Sequence, residues 1–181
     1  MTAVLLAAGR SSRASVIKQL YRINGEYLIN RQIRGLRSYG FSVAVVLGYE
    51  HEKIRRILDD GVTVVYNGQY EKGMFSSVKK AFEVLGSEQL IFCHVDRPVP
   101  EWAVFEALMR SKSAIAVAFF EGKKAPPIRI DSKMKNLLLD SAQNRLDRWI
   151  EAADDVAYVQ VDDPKVHCNA NTDKELKRCF G

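Results

Sequence analysis

Short apolar runs alternate with amphipathic stretches along most of this chain. Residues 3–8 form an unbroken apolar run that stops at Gly9, the length and bounds of a buried strand. Residues 26–39 place Leu28, Ile29, Gln32, Ile33 and Leu36 on one helical face, and Gly40 follows as a natural helix terminator. The same reading predicts strands over 41–47, 62–66, 89–95 and 114–120. It predicts helices over 51–58, 73–85 and 102–109, with Val78, Phe82 and Leu85 facing inward in the second and Pro100 at the N1 position of the third. Strand and helix alternate throughout, which predicts an α/β fold: one doubly wound, mostly parallel sheet with helices on both faces. Ligands of such sheets bind beyond the carboxyl ends of the strands.

The last third is less regular. Residues 122–127 hold two lysines and two prolines and predict a loop, and Ile128 and Ile130 a short strand. Short helices are expected over 134–139 and 145–152, and a strand over 156–161. Thr172-Asp-Lys-Glu175 is a capping-box pattern that starts a final helix. No repeat, low-complexity segment or long linker divides the 181 residues, so a single domain over 1–181 is expected.

Composition narrows the classes. No apolar run approaches the roughly 18 residues of a membrane span, and Met1 leads into a strand with no basic leader, so a cytoplasmic protein is expected. The three cysteines, Cys93, Cys168 and Cys179, are widely spaced without a C-x-x-C and predict reduced, buried thiols. The positive charge is uneven: ten Lys and Arg face three acids in residues 1–58, and seventeen face nineteen in residues 59–181. Arg31, Arg34 and Arg37 fall at helical spacing and read as a solvated face. The basic residues are not interleaved with aromatics, so nucleic acid is not the expected partner.

Four segments carry candidate chemistry. The loop after the first strand holds Arg10, Ser11, Ser12, Arg13 and Lys18 with little bulk between them, and its cations and free backbone N–H groups suit a polyphosphate. The plain alternative is a solvated basic loop. Asp96 ends the apolar stretch before Arg97-Pro98, where a carboxylate either binds Mg²⁺ or caps the helix near Pro100. Gly73, Ser76 and Ser77 either approach a ligand or form an ordinary helix start. Asn169 and Asn171, read by themselves, shape the turn before the last helix.

The run Leu6-Ala7-Ala8-Gly9-x-Ser11-x-Arg13, with Lys18 five residues on, resembles the Leu-Ala-Ala-Gly-x-Ser-x-Arg-Met-Gly-x-Pro-Lys signature of MobA/MocA-like nucleotidyltransferases, the molybdenum-cofactor guanylyl- and cytidylyltransferase type. Asp96-x-Pro98 is similar to their metal motif, and the stretch from Asn67 through Gly73-Met74 to Ser76 and Ser77 to their nucleotide-lining motif. Asn169-x-Asn171-Thr172 is similar to an Asp-x-Asp-Thr segment.

The resemblance implies a nucleotide-diphospho-sugar transferase-like fold and Mg²⁺-dependent transfer of a nucleotidyl group from a triphosphate, GTP or CTP, to a phosphorylated small acceptor such as molybdopterin. It implies catalytic roles for Arg13, Lys18 and Asp96. Nucleotide contacts are implied at Leu6, Ala7, Ala8, Gly9, Arg10, Ser11, Asn67, Gly73, Ser76 and Ser77, and metal contacts at Asp96 and Asn171. The chain departs from the pattern at Ala14-Ser15 for Met-Gly, Ile17 for Pro and Asn171 for Asp. It also has Ala125-Pro126-Pro127 for Gly-His-Pro, and Ser141–Arg145 in place of Gly-Asp-x-Gly-Ala-Arg, both on the acceptor side. If the second Met-Gly position needs a positive φ, Ser15 carries strain there. A nucleotide- or partner-binding module without turnover is the alternative.

Overall fold

The computed structural model describes residues 1–86 and 89–181. The first apolar run is strand β1 (Thr2–Ala7). After the polar loop, β2 (Arg22–Ile23) and β3 (Glu26–Tyr27) form a small antiparallel hairpin. Its turn is Asn24-Gly25, both at positive φ (51° and 84°), the strongest short-range hairpin signal. That turn delays helix α1 to Leu28–Ser38, two residues later than the periodicity predicts. There follow β4 (Ser42–Leu47), α2 (His51–Arg55), β5 (Thr63–Tyr66), α3 (Met74–Leu85), β6 (Gln89–His94), α4 (Trp102–Arg110) and β7 (Ile115–Phe120). The chain ends with β8 (Lys123–Asp131), α5 (Lys135–Leu139), α6 (Leu146–Glu151), β9 (Val156–Gln160) and α7 (Asp173–Phe180).

Among the described residues, seven strands form one sheet in the order β5-β4-β1-β6-β8-β7-β9. β8 alone runs against its neighbours, so the sheet is mostly parallel, as predicted. Side chains of β1 and β6 alternate between two covered faces. Val4, Leu6, Leu90 and Phe92 pack under α3, α5 and α6 with Phe82 and Trp149. Ala3, Leu5, Ile91 and Cys93 pack under α1, α2 and α4 with Ile33, Ile54 and Phe105. Burying each large side chain contributes roughly 1.5–3 kcal/mol. Arg129 on β8 is buried to 1% exposure, and its guanidinium donates to Leu108 O (3.1 Å), Ser111 O (3.3 Å) and Ser113 O, tying the end of α4 to the sheet.

Three expectations change. Residues 122–127 are not a loop but the end of a hairpin turn and the first half of β8. The turn falls on Glu121-Gly122, both at positive φ. Pro126 and Pro127 lie where the register against β7 slips, opposite no β7 residue, so their missing N–H groups interrupt no ladder bond. Pro100 is not at N1, because α4 begins at Trp102 with Glu101 as its N-cap. The thiols are not all reduced: Cys168 and Cys179 form a disulfide with Cα atoms 6.0 Å apart, and Cys93 is free and buried. The capping box turns the chain into α7 directly after Cys168 and folds Cys179 back beside it. Among the described residues, no helix is long and apolar enough to cross a membrane.

Candidate active site

Because β1, β4, β5 and β6 are parallel, their carboxyl ends share one edge, and the segments that leave β1, β5 and β6 build a cleft of about 260 Å³ there. Leu6 and His94, paired in register, form its floor.

The loop after β1 is folded by a residue that the sequence did not single out, Gln19. Its amide, 1% exposed, donates to Ala7 O (2.6 Å) and Gly9 O (3.2 Å) and accepts from Ser11 Oγ (3.3 Å). Ser11 Oγ in turn accepts from Lys18 N (3.0 Å). The loop's positive φ (56°) falls on Ser11, not on Ser15, so the strain expected at Ser15 does not arise. Ser15 instead donates its amide (3.1 Å) and hydroxyl to Asp173 at the start of α7. A Cβ on Gly9 would meet nothing within 4 Å, so its hydrogen leaves the cleft open at that point.

Lys18 is the hub of the site. Its ammonium donates to Asp96 Oδ2 (2.8 Å) and to Asn171 Oδ1 (2.9 Å), and Arg13 Nη2 donates to the same Asn171 oxygen (3.1 Å). Three segments far apart in the chain thus meet at one point. Asp96 does not cap α4: the Glu101 amide is met by Asp163 Oδ2 instead (2.8 Å). The segment carrying Asp96 is fixed by Ala170 N donating to Asp96 O (2.9 Å), by Arg97 Nη1 donating to Val166 O (2.7 Å) and by Gln32 donating to Arg97 O. Burial pushes the His94 imidazole down to about 4, with Asp96 opposing and Arg97 and Lys18 adding, so it is neutral at physiological pH.

The opposite wall, residues 67–77, is built differently. Asn67, 2% exposed, donates to Ser76 Oγ and Ser77 Oγ (both 2.9 Å) and accepts from Gln69 N (2.9 Å). Ser76 Oγ also reaches Gly73 O (2.8 Å). These polar groups close their own turn and face one another. Gly73, at φ 93° and ψ 178°, holds a backbone conformation that favours glycine and starts α3 at the cleft. Gly48 was also missed: a Cβ there would sit 2.5 Å from Tyr70 Cβ and 2.8 Å from Ala8 O, so only glycine lets Tyr70 pack against the β1 loop. Arg10 bridges the two walls. It pairs with Glu71 and lies over the rings of Tyr49 (5.7 Å) and Tyr70 (5.8 Å).

The segment 141–145 lies outside the cleft. It lines a second cavity of about 310 Å³ beyond the first turn of α3, held there by Lys79 donating to Leu139 O (3.1 Å) and Ser141 O (2.7 Å).

An ammonium held between a carboxylate and an amide oxygen marks a cation seat, and both donors are hard oxygens of the kind Mg²⁺ or Mn²⁺ takes. The two oxygens fit such an ion as a partial shell that phosphate and water would complete, since no group of three His, Cys, Asp or Glu gathers among the described residues.

With this geometry, the comparisons with known proteins are specific. The model of the MobA-like NTP transferase domain matches residues 3–159. The chain belongs to the MobA-like NTP transferase family. Over 116 residues it is 24% identical to the molybdenum cofactor cytidylyltransferase of Escherichia coli strain K12, a match that spans 62% of this chain and 60% of that protein. A nucleotidyl transferase from Methanothermobacter shares the fold at a TM-score of 0.84, with 19% identity, covering 98% of this chain and 94% of that one. Rv0371c of Mycobacterium tuberculosis, in its manganese complex, shares it at 0.76 with 18% identity, covering 99% and 97%.

Proposed function

We propose that this enzyme transfers a nucleotidyl group from a triphosphate, CTP or GTP, to a phosphorylated small acceptor, with Mg²⁺ as the physiological cation. The observation that carries this reading is Lys18, whose ammonium lies 2.8 Å from Asp96 Oδ2 and 2.9 Å from Asn171 Oδ1 beside the open Gly9 loop. Transfer of this kind depends on positioning and charge neutralisation. Free backbone N–H groups around Gly9 would receive phosphate oxygens. Lys18 and Arg13 would offset the charge that collects on the departing pyrophosphate. Asp96 and Asn171 would hold the divalent cation, which supplies charge stabilisation at the α-phosphate when bound. An acceptor phosphate oxygen then forms a bond to the α-phosphorus as the bond to pyrophosphate breaks. The base would lie toward Gly73, Met74 and Ser77. The cytidylyl and molybdenum-cofactor terms in the E. coli relative's name support CTP and a molybdopterin-type acceptor, and the manganese complex of Rv0371c supports a divalent cation.

The test is release of pyrophosphate when the protein is mixed with each of the four triphosphates, Mg²⁺ and a panel of phosphomonoesters including molybdopterin. Release with CTP or GTP is expected. One observation favours a second reading: Asn171 contributes an uncharged oxygen where the resembled pattern has a carboxylate. Triphosphate binding without pyrophosphate across the whole panel would select a binding module, and no binding of any triphosphate would overturn both.

A further inference from the structure

Given the triphosphate reading above, we propose that Lys18 and the divalent cation occupy the same seat in turn, so that the cation enters with the triphosphate and not before it. In the structure the ammonium already occupies one oxygen of each of the two proposed ligands, Asp96 Oδ2 and Asn171 Oδ1. Its side chain is 11% exposed and that of Asp96 22%, so the pair is largely shielded from water. A cation about 2.1 Å from Asp96 and Asn171 would lie within the reach of the ammonium itself. Two positive centres cannot share that space, so one must leave.

The backbone says which part moves. Lys18 N is pinned to Ser11 Oγ (3.0 Å), and Ser11 to Gln19. The loop stays in place, and only the flexible four-carbon stem can swing. Without a triphosphate nothing rewards that swing, because the ammonium would give up a carboxylate for solvent. A triphosphate changes the balance twice. Its oxygens offer Lys18 a new anionic partner, and they supply ligands that two protein oxygens cannot provide for a six-coordinate ion. The protein alone is therefore a poor metal binder, and the triphosphate is what makes the seat available. Arg13 supplies an internal comparison: it carries the same charge on the same loop and touches Asn171 (3.1 Å), but it has no contact with Asp96 among the hydrogen bonds of the site.

The experiment titrates Mn²⁺ into the full-length protein and reads free Mn²⁺ by electron paramagnetic resonance, with and without the α,β-methylene analogue of CTP or GTP. The wild type should bind Mn²⁺ weakly alone and at least about tenfold more tightly with the analogue bound, beyond what the analogue chelates in solution. Lys18→Met should raise the affinity for Mn²⁺ alone by about tenfold, and adding Asp96→Asn should abolish that gain. Arg13→Met should raise it by no more than about twofold, the effect of a nearby exposed charge.

Equal gains in the Lys18 and Arg13 variants would reduce the effect to general charge and overturn the shared seat. So would tight binding of Mn²⁺ alone by the wild type, or no gain in a Lys18→Met protein with native circular dichroism. The arms with Mn²⁺ alone need no nucleotide. If the analogues fail to bind, the triphosphate reading falls while the Lys18 comparison still decides the seat.

Discussion

The two walls of the cleft commit their polar side chains in opposite ways. On the wall formed by the β1 loop, β6 and the segment before α7, Arg13, Lys18, Asp96 and Asn171 bond across segments more than seventy residues apart. Those bonds are made between charged or strongly polar tips that a polyphosphate and a cation can replace. On the wall formed by residues 67–77, Asn67 and Ser76 bond to groups within ten residues of themselves. That network is local: it shapes the backbone at Gly73, while Ser77 lines the cleft and Asn67 and Ser76 line the neighbouring cavity of about 310 Å³. A polar residue inside a nucleotide-binding pattern therefore serves either the ligand or the wall, and its burial and partners tell which.

The largest expected effect breaks this comparison at Asp96. Asp96→Ala should weaken Mn²⁺-dependent triphosphate binding by about a hundredfold or more, since it would remove the carboxylate proposed to hold the cation. Its melting temperature should fall, because the shielded Lys18 ammonium loses its carboxylate, but the segment itself stays held by Ala170, Gln32 and Arg97 through groups other than the carboxylate. A low-melting variant that kept its metal dependence would move Asp96 to the structural wall.

Asn67→Ala should do the reverse. It removes three hydrogen bonds from a position 2% exposed and leaves the buried Ser77 hydroxyl without that donor, which costs about 1–3 kcal/mol of stability by urea unfolding. The folded fraction should bind triphosphate nearly as the parent does. Normal stability with lost affinity would show that Asn67 faces the ligand after all. Cys179→Ser comes next, at about 2 kcal/mol for opening a short loop closed by Cys168. Its effect should be concentrated in amide exchange of residues 168–180, and uniform exchange across the sheet would contradict it.

How much of this was legible depends on whether a feature is local. The apolar runs of β1, β4 and β6 are buried on both faces, and α1 carries a full inward stripe, so pattern alone found them. β8 was not found over 122–127, because its two lysines and two prolines mimic a loop, and its place between β6 and β7 is decided by distant strands. The disulfide was missed for the same reason: an eleven-residue spacing is uninformative until the capping box folds α7 back. In the cleft, Lys18 and Asp96 were named from their own chemistry and Asn171 by resemblance, but their meeting point is a product of the fold. Gln19 and Gly48 left no signal, since one works through backbone carbonyls and the other through the absence of a Cβ against Tyr70.

The smallest expected effect sharpens the comparison through acid. Asn171 is held by Glu175, whose carboxylate accepts from Asn171 N (2.9 Å), Thr172 N (3.0 Å) and Thr172 Oγ1 (3.1 Å). The Asn171 amide first, and then the Thr172 hydroxyl, hold its pKa below the ordinary 4.5. A depressed folded value means that the carboxylate's contribution is complete above the unfolded value and is lost as pH falls through the folded one. Asn171 should thus keep its position from neutral pH down to about 5 and loosen only below the ordinary carboxylate range. The Asn67, Ser76 and Ser77 network contains no titratable group and should not respond in that window. Amide exchange measured by NMR from neutral pH down to strong acid, corrected for intrinsic exchange, should show Asn171 and Thr172 losing protection while Ser76 and Ser77 keep theirs. Glu175→Gln should show weaker protection of Asn171 already at neutral pH and no further acid step. If both walls lose protection together, the transition is global and the carboxylate is not its cause. If Asn171 is unaffected throughout, its position depends on Lys18 and Arg13 alone, and the C-terminal capping box contributes only to α7.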